Sequence, residues 1–357
     1  MLLNYKPKAC RFKYVLTPIV VGVLLAHSSR AQESEHLSSE QLTKQTIHRR
    51  ALDAAIWGQP IVSFDAMRQA YFRDAKANYN DVIWWPKGAG WKNQSLTVNT
   101  SVRYLYFFFN TRNDGPVVLE LPGAIDGAGF FGTITDAWFV PLVDIGSQGE
   151  DNGKGGKYLV LPPDYKGDVP SGYIPVRPRT YNTYTLVRSI VASDSEEDVR
   201  KGDELVKQIK LYSLSKAANP PVQRFVDMTD ILYEGLVSYD ESLYTSLAGM
   251  LNEEPVNPRD LQMMGMLLPL GIEKGKELKP DTAMTAELKS AAREAQDWLI
   301  EGLVRTSTEG LWPDSKWVIP CPPIGVKTIF KGGRQLFRCG FARNGPRQLL
   351  RDNCQPR

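Results

Sequence analysis

The chain has three histidines, His27, His36 and His48, and none beyond residue 48. A Ser-His-Asp triad or a histidine-ligated zinc site would have to be built on His48, and no His-x-x-x-His pair exists to share ligation. The four cysteines are Cys10, Cys321, Cys339 and Cys354. Residues 32–320 therefore contain no thiol nucleophile and no disulfide framework. The glycine-rich stretch Gly146–Gly156 (GSQGEDNGKGG) misses the Walker spacing, and neither Lys154 nor Lys157 is followed by Ser or Thr. It reads as a surface turn between strands, not a phosphate cradle.

Two constellations remain. Glu120, Asp126, Asp136 and Asp144 fall on or between successive predicted strands. Two carboxylates facing one cleft, roughly 5–9 Å apart, can carry out general acid–base hydrolysis without histidine. Glu120, Asp136 and Asp144 are the catalytic candidates of that kind; ordinary turn and strand-end acids are the plainer reading. The second constellation is cationic and aromatic: Arg177, Arg179, Tyr181, Tyr184 and Arg188, with Trp84, Trp85, Trp91 and Trp138. Guanidinium forks bind carboxylates and aromatic faces stack on sugars or apolar ligands. Arg177, Arg179, Tyr181 and Trp138 are the binding candidates, against core tryptophans and internally paired arginines. Asp144, Glu150 and Asp151 are candidate oxygen ligands for a calcium ion, although the alternating acid and glycine pattern of an EF-hand is missing. No cofactor is expected.

Those residues need a scaffold. Ser38 with Gln41 resembles a capping box that opens a helix. Apolar residues then recur at helical spacing through Leu42, Ile47, Leu52, Ile56, Ile61, Phe64, Met67 and Tyr71. Pro60 is expected to break or kink this stretch into two helices, with Gly58 easing the break. From residue 79 the texture changes to short β-branched and aromatic runs between Gly, Pro, Asn and Asp clusters. Strands are predicted at Val82–Trp85, Ser101–Asn110, Pro116–Leu121, Gly129–Thr135, Lys157–Leu161, Tyr173–Arg177 and Tyr184–Val191. Tyr104–Phe109 is apolar on both faces and predicts a buried central strand. Helices are predicted at Asp194–Ile209, Gln223–Leu251 with interruptions, Asn257–Leu268 and Thr282–Val304.

Both ends are basic. Residues 1–31 hold five basic residues and no acid, and residues 331–357 hold seven basic residues and one acid. That leaves 31 basic and 39 acidic residues for 32–330, a net of −8 within a chain of formal charge +3. A body this acidic has no electrostatic attraction for phosphate backbones, which excludes a nucleic-acid partner. Lys6 to Lys13 followed by the apolar run Tyr14–Ala26 reads as a signal peptide, with cleavage near Ala31. The run is too short to span a bilayer. The expected location is periplasmic or secreted, with no transmembrane span in the mature chain.

Four stretches stand in a recognisable order: GPVVLEL (115–121), Asp136-Ala137-Trp138, GKGGKYLVLPP (153–163) and GYIPVRPRTYNTYTLVR (172–188). With KLYSLSKAANPP (210–221) and GIEKGK (271–276), they resemble the bacterial envelope family catalogued as domain of unknown function 1254, over about residues 45–325. The resemblance implies a β-rich module followed by a second module, catalogued as domain of unknown function 1214. It implies no reaction, cofactor or catalytic residue. Members often carry Thr-Pro-Asn and an acid before the aromatic strand, whereas this chain has Thr97-Val98-Asn99-Thr100. After residue 330 the chain also departs from the family, ending in an arginine-rich stretch that reads as a disordered, out-of-frame tail.

The expected organisation is a signal peptide (1–31), N-terminal helices (32–78), a β-rich body (79–193), a helical segment (194–310), the start of a second module (311–330) and the tail (331–357). The fold class is α+β: an antiparallel β-sandwich-like body with N-terminal helices and a C-terminal helical segment. The function expected is an exported module binding a small molecule or envelope component. The alternatives are a carboxylate-based hydrolase acting on glycan or another envelope substrate, and an inactive truncated copy.

Overall fold

The computed structural model describes residues 37–95, 98–100 and 102–305. The expected signal segment, second-module start and tail, and His27, His36 and all four cysteines, lie outside the described residues. Two compact units are distinguished, Met1–Gln45 and Thr46–Arg357. In the first, the capping box forms: the Ser38 amide donates to Gln41 Oε1 at 2.8 Å, and the Gln41 amide donates to Ser38 Oγ at 3.2 Å.

Helix α1 (Ser39–Arg73) leads into strands β1 (Val82–Trp84), β2 (Asn93–Gln94) and β3 (Arg103–Asn110), then a single helical turn, α2 (Thr111–Asp114). Strands β4 (Val117–Leu121), β5 (Ala128–Asp136), β6 (Pro141–Gly146), β7 (Gly156–Val160), β8 (Tyr173–Val176) and β9 (Asn182–Val191) follow. The rest is helix α3 (Glu196–Val206), strands β10 (Lys210–Ser213), β11 (Phe225–Asp227) and β12 (Tyr233–Glu234), and helices α4 (Ser242–Glu253), α5 (Leu261–Leu267) and α6 (Thr282–Arg305). A six-stranded sheet runs β11-β1-β3-β9-β5-β6 and a four-stranded sheet runs β10-β4-β7-β8. Pairing is antiparallel except at β1/β11, β7/β8 and the small β12/β2 pair. The fold is α+β with a mostly antiparallel sandwich.

Strand β3 shows why the layers stack. Leu105, Phe107 and Phe109 join Leu119, Tyr158, Val160 and Leu211 of the four-stranded sheet in one core. Tyr104, Tyr106 and Phe108 point the other way, into a second core with Ala54, Ile61, Phe64, Met67, Tyr71, Leu247 and Leu288 of the helices. Period-two alternation sends a run that is apolar on both faces into two cores at once. Each fully buried Phe contributes about 1.5–3 kcal/mol to that arrangement.

Two expectations are corrected. Helix α1 does not break at Pro60 but runs 35 residues through it. The missing amide and the ring's clash with the carbonyl four residues back cost about 3 kcal/mol. Ala54, Ala55, Ile61, Val62 and Phe64, buried on both sides of the proline, outweigh that cost. Gly58 serves packing instead of a break: a Cβ there would lie 2.9 Å from Leu247 Cδ1 of α4. The second correction concerns residues 223–251, read as interrupted helix. Their first part forms β11 and β12, and helix begins only at Ser242. β11 lies in register beside β1, Val82 opposite Phe225 and Trp84 opposite Asp227, so a sheet edge overrides the local preference.

Candidate functional site

The densest polar chemistry lies where α1, β3, β9 and α4 meet. Arg68 sits on the buried face of α1, its side chain 6% exposed. Its guanidinium donates to Asp65 Oδ1 through Nε at 3.1 Å and Nη2 at 2.6 Å, and to Glu253 through Nη1 at 2.5 Å and Nη2 at 3.1 Å. Nη1 also reaches Asn182 Oδ1 at 3.3 Å and Tyr79 Oη at 3.2 Å. Burial opposes the charge on Arg68, but the Glu253 hydrogen bond and the charges around it hold its pKa above the usual arginine value.

Asn182, opposite Asn110 in the β3/β9 register, carries the network onward. Its Nδ2 donates to Glu253 Oε2 at 2.9 Å and Glu254 Oε1 at 2.7 Å. Glu254 is 2% exposed and also accepts the backbone amides of Tyr181 (2.6 Å) and Asn182 (3.0 Å). Burial pushes its carboxyl up, and these hydrogen bonds pull the other way. Lys274 closes the end of α4 by donating to the carbonyls of Leu251, Asn252 and Glu254. A buried charge with every neighbour engaged fixes side-chain positions tightly.

Two clefts flank the Arg68–Glu253 pair. The larger, about 480 Å³, has Val62, Leu243 and Met250 among its apolar lining and Gln69, Ser238, Ser242, Thr245 and Ser246 among its polar lining. The smaller, about 370 Å³, is lined by Phe72, Tyr79, Asn110, Arg112 and Asn113 with Arg68, Gln69 and Glu253. Neither arginine of the larger cleft offers an unpaired charge. Arg68 is shared by two carboxylates, and Arg73 grips Asp74 through Nε at 2.6 Å and Nη2 at 2.7 Å. Asp65 is likewise filled, with Gln69 at 3.2 Å and Ser246 at 2.7 Å completing its partners. What remains for a ligand is the hydrogen-bonding capacity that Gln69, Ser238, Ser242, Thr245 and Ser246 keep beyond their internal bonds, with the exposed Glu234 carboxylate and the apolar side chains of Leu236 and Val237 beside them.

The sequence candidates lie elsewhere. Glu120, on β4 between Lys157 and Lys210 in register, accepts from the Tyr212 hydroxyl at 2.8 Å. Asp144 is exposed on edge strand β6 and accepts from Thr133 Oγ1 at 2.8 Å. Asp136 is 1% exposed, and its Oδ1 accepts the amides of Trp138 (2.9 Å) and Val140 (3.0 Å). It closes a turn in which Phe139 adopts φ +54°. Burial pushes the Asp136 carboxyl up, against the amides and the charges of Arg259 and Arg179. None of the three lines either cleft.

The binding candidates partly assemble. The Ala137 amide donates to Thr180 Oγ1 at 3.0 Å, which brings Trp138 beside the segment carrying Arg179 and Tyr181. Trp138 packs on Trp57 with ring centroids 4.7 Å apart, and Arg112 lies 4.3 Å over the Tyr181 ring. Arg177 and Arg179 are exposed.

The calcium candidates do not converge. Asp151 is spent on the loop itself, accepting the amides of Gly146 (2.7 Å) and Gly155 (3.1 Å) and the Tyr158 hydroxyl (2.9 Å). Glu150 is exposed, and among the described residues no group of three His, Cys, Asp or Glu is placed to hold a metal ion. His48 cannot activate a hydroxyl either, since both ring nitrogens already face carboxylates, Glu287 at 2.6 Å and Glu294 at 2.7 Å.

The site residues that sequence reading missed are Asp65, Arg68, Asn182, Glu253 and Glu254. One signal was available: Asp65 and Arg68 stand one turn apart within the apolar face formed by Ile61, Phe64, Met67 and Tyr71. A charge pair on a face destined for burial needs a partner network.

Residues 79–213, spanning β1 to β10, match the family described as Protein of unknown function (DUF1254). The match is narrower than the resemblance in motif order, which extends over about residues 45–325. Among solved structures the chain is similar to the VPA0106 protein from Vibrio parahaemolyticus, with a TM-score of 0.54 and 17% identity over 74% of this chain and 61% of that one. A protein of Burkholderia cenocepacia gives a TM-score of 0.26 and 12% identity, over 72% of this chain and 57% of that one. The chain thus spans less than two thirds of either. At 17% identity the Vibrio likeness concerns the fold. No curated protein matches the chain.

Proposed function

We propose that the protein, whose residues 79–213 match the DUF1254 family model, is an exported, envelope-associated binding module. Its ligand site is the larger cleft beside Arg68, and its ligand is a small, uncharged, hydroxyl-rich molecule of the glycan class. One observation carries this reading: the cleft lining combines Gln69, Ser238, Ser242, Thr245 and Ser246 with the apolar Leu236 and Val237, its arginines are neutralised, and its one further charge, the exposed Glu234, is an acid that can accept from ligand hydroxyls. Hydroxyl and amide groups at the edge of an apolar floor match the alternating hydroxyl and C–H faces of a sugar. An anion would find no free cation there.

Export rests on the basic and apolar start of the sequence. No helix among the described residues is long and apolar enough to cross a membrane, which is compatible with it.

Gly249 provides the test. It lines the cleft from α4, and a Cβ added there meets nothing within 4 Å. Gly249→Trp therefore starts its side chain in open space at an exposed position of α4 and brings a bulky ring to the cleft. Calorimetric titration with envelope glycan fragments, the N-acetylglucosamine disaccharide among them, should give binding to the wild type and none to the variant. Equal binding by both proteins would remove the cleft from the account.

A further inference from the structure

His48 lies between two acids of another helix. Its Nδ1 stands 2.6 Å from Glu287 Oε1 and its Nε2 stands 2.7 Å from Glu294 Oε2, both on α6. The two glutamates are seven residues apart, two helical turns, and so share a face. Carboxylate oxygens only accept hydrogen bonds. A neutral imidazole has one N–H and one lone pair, so it would satisfy one glutamate and aim its lone pair at the other. The imidazolium satisfies both. Because the ring nitrogens diverge, the same three residues cannot close on one metal ion.

We propose that His48 is a pH-controlled clamp, holding α6 against α1 when protonated and loosening it when neutral. The acids surround a ring that remains 26% exposed, within reach of proton exchange with solvent. Other charges stand on these elements: Lys44 lies one turn before His48 on α1, and Arg293 and Asp297 stand beside and one turn beyond Glu294 on α6. On α1, Arg50 pairs with Asp53 at 3.8 Å, while Arg49 has its own interactions. On α6, Lys289 stands 3.9 Å from Glu241, and the charge of Arg293 acts on Asp240, both at the start of α4. From α4, the Tyr244 hydroxyl donates to the Ala51 carbonyl, one turn beyond His48. The hydrogen bond with Glu294 is the largest influence on His48; burial opposes it, Glu287 adds to it, and the net effect raises the pKa.

The rest of the seam on α6 is modest. Its fully buried side chains are Leu288, Ala291, Ala292 and Ala295, three of them a single methyl, and the charged contacts add to this apolar attachment. The direction follows from the raised pKa. The clamp is fully closed below the ordinary histidine value, about 6.5, and is lost as pH rises through the higher value His48 has in the folded protein.

Hydrogen exchange of residues 282–302, corrected for intrinsic rates and followed from about pH 5.5 to about pH 9, reads the clamp directly. Protection of α6 should fall across the His48 titration, by roughly tenfold for each unit by which folding raises its pKa. His48→Gln should abolish the step. Glu294→Gln should move both the step and the His48 ring titration, followed by NMR, to lower pH, which a merely structural contact would not do. A step that survives His48→Gln, or α6 protection that stays flat while His48 titrates, would overturn the proposal. Neither result touches the ligand cleft, whose lining includes none of these three residues.

Discussion

Arg68 shows how much one side chain can organise. Its single positive charge sits between Asp65 and Glu253, and Asn182 relays the network to buried Glu254. Removing the cation while leaving the acids should be severe: Arg68→Met is expected to cost about 3–5 kcal/mol in urea unfolding, the range for breaking one partner of a buried pair. Asp136 is a gentler case. Asp136→Ala loses the acceptor for two backbone amides at the Phe139 turn and should cost about 1–3 kcal/mol, whereas Asp136→Asn keeps an acceptor oxygen and should cost less than half of that. Thermal melts of the two variants check this order. Sequence drew attention to Asp136, Trp138, Arg179 and Tyr181 because acids, arginines and aromatics near strand ends suit chemistry. It passed over Asp65 and Arg68 because burial, not residue type, makes them unusual, and over Glu253 because only its contact with Arg68 does. Their meeting depends on α1 and α4 being 185 positions apart in the chain yet side by side at Arg68 and Glu253.

At the scale of elements, local pattern succeeded wherever one element decided its own form. Strand β5 buries alternate residues along its whole length, and each of the seven strands expected from sequence has a counterpart. It failed where a neighbour decides. Pro60 reads as a break until the packing around it is known, and β11 is a strand because β1 offers an edge. β6, which begins at a proline, and the four-residue β10 were too short or too polar to stand out. Two glycines in helices that meet make a matched test. Gly58→Ala pushes a methyl into Leu247 and should destabilise by about 1–3 kcal/mol. Gly249→Ala enters open space and should stabilise by about 0.5–1 kcal/mol, since alanine restricts the unfolded chain and favours helix. Chemical denaturation of both variants should show opposite signs.

For the whole molecule, the order helix layer, six-stranded sheet, four-stranded sheet explains where function has room. The sandwich interior is filled by side chains from both sheets. The helix layer meets the end of β9 through polar residues, and there the two clefts open. The proposed export and the proposed glycan capture belong to this scale, as does a body whose net charge of −8 over residues 32–330 argues against polyanionic partners. The central claim is that the cleft beside Arg68 captures a neutral, hydroxyl-rich ligand. Calorimetric titration of wild type and Gly249→Trp with the same glycan fragments tests it most directly. Saturable binding to the wild type, unaffected by a several-fold rise in salt and absent in the variant, is the expected result. Binding that persists in Gly249→Trp, or that appears only with anionic ligands and fades with salt, would contradict it.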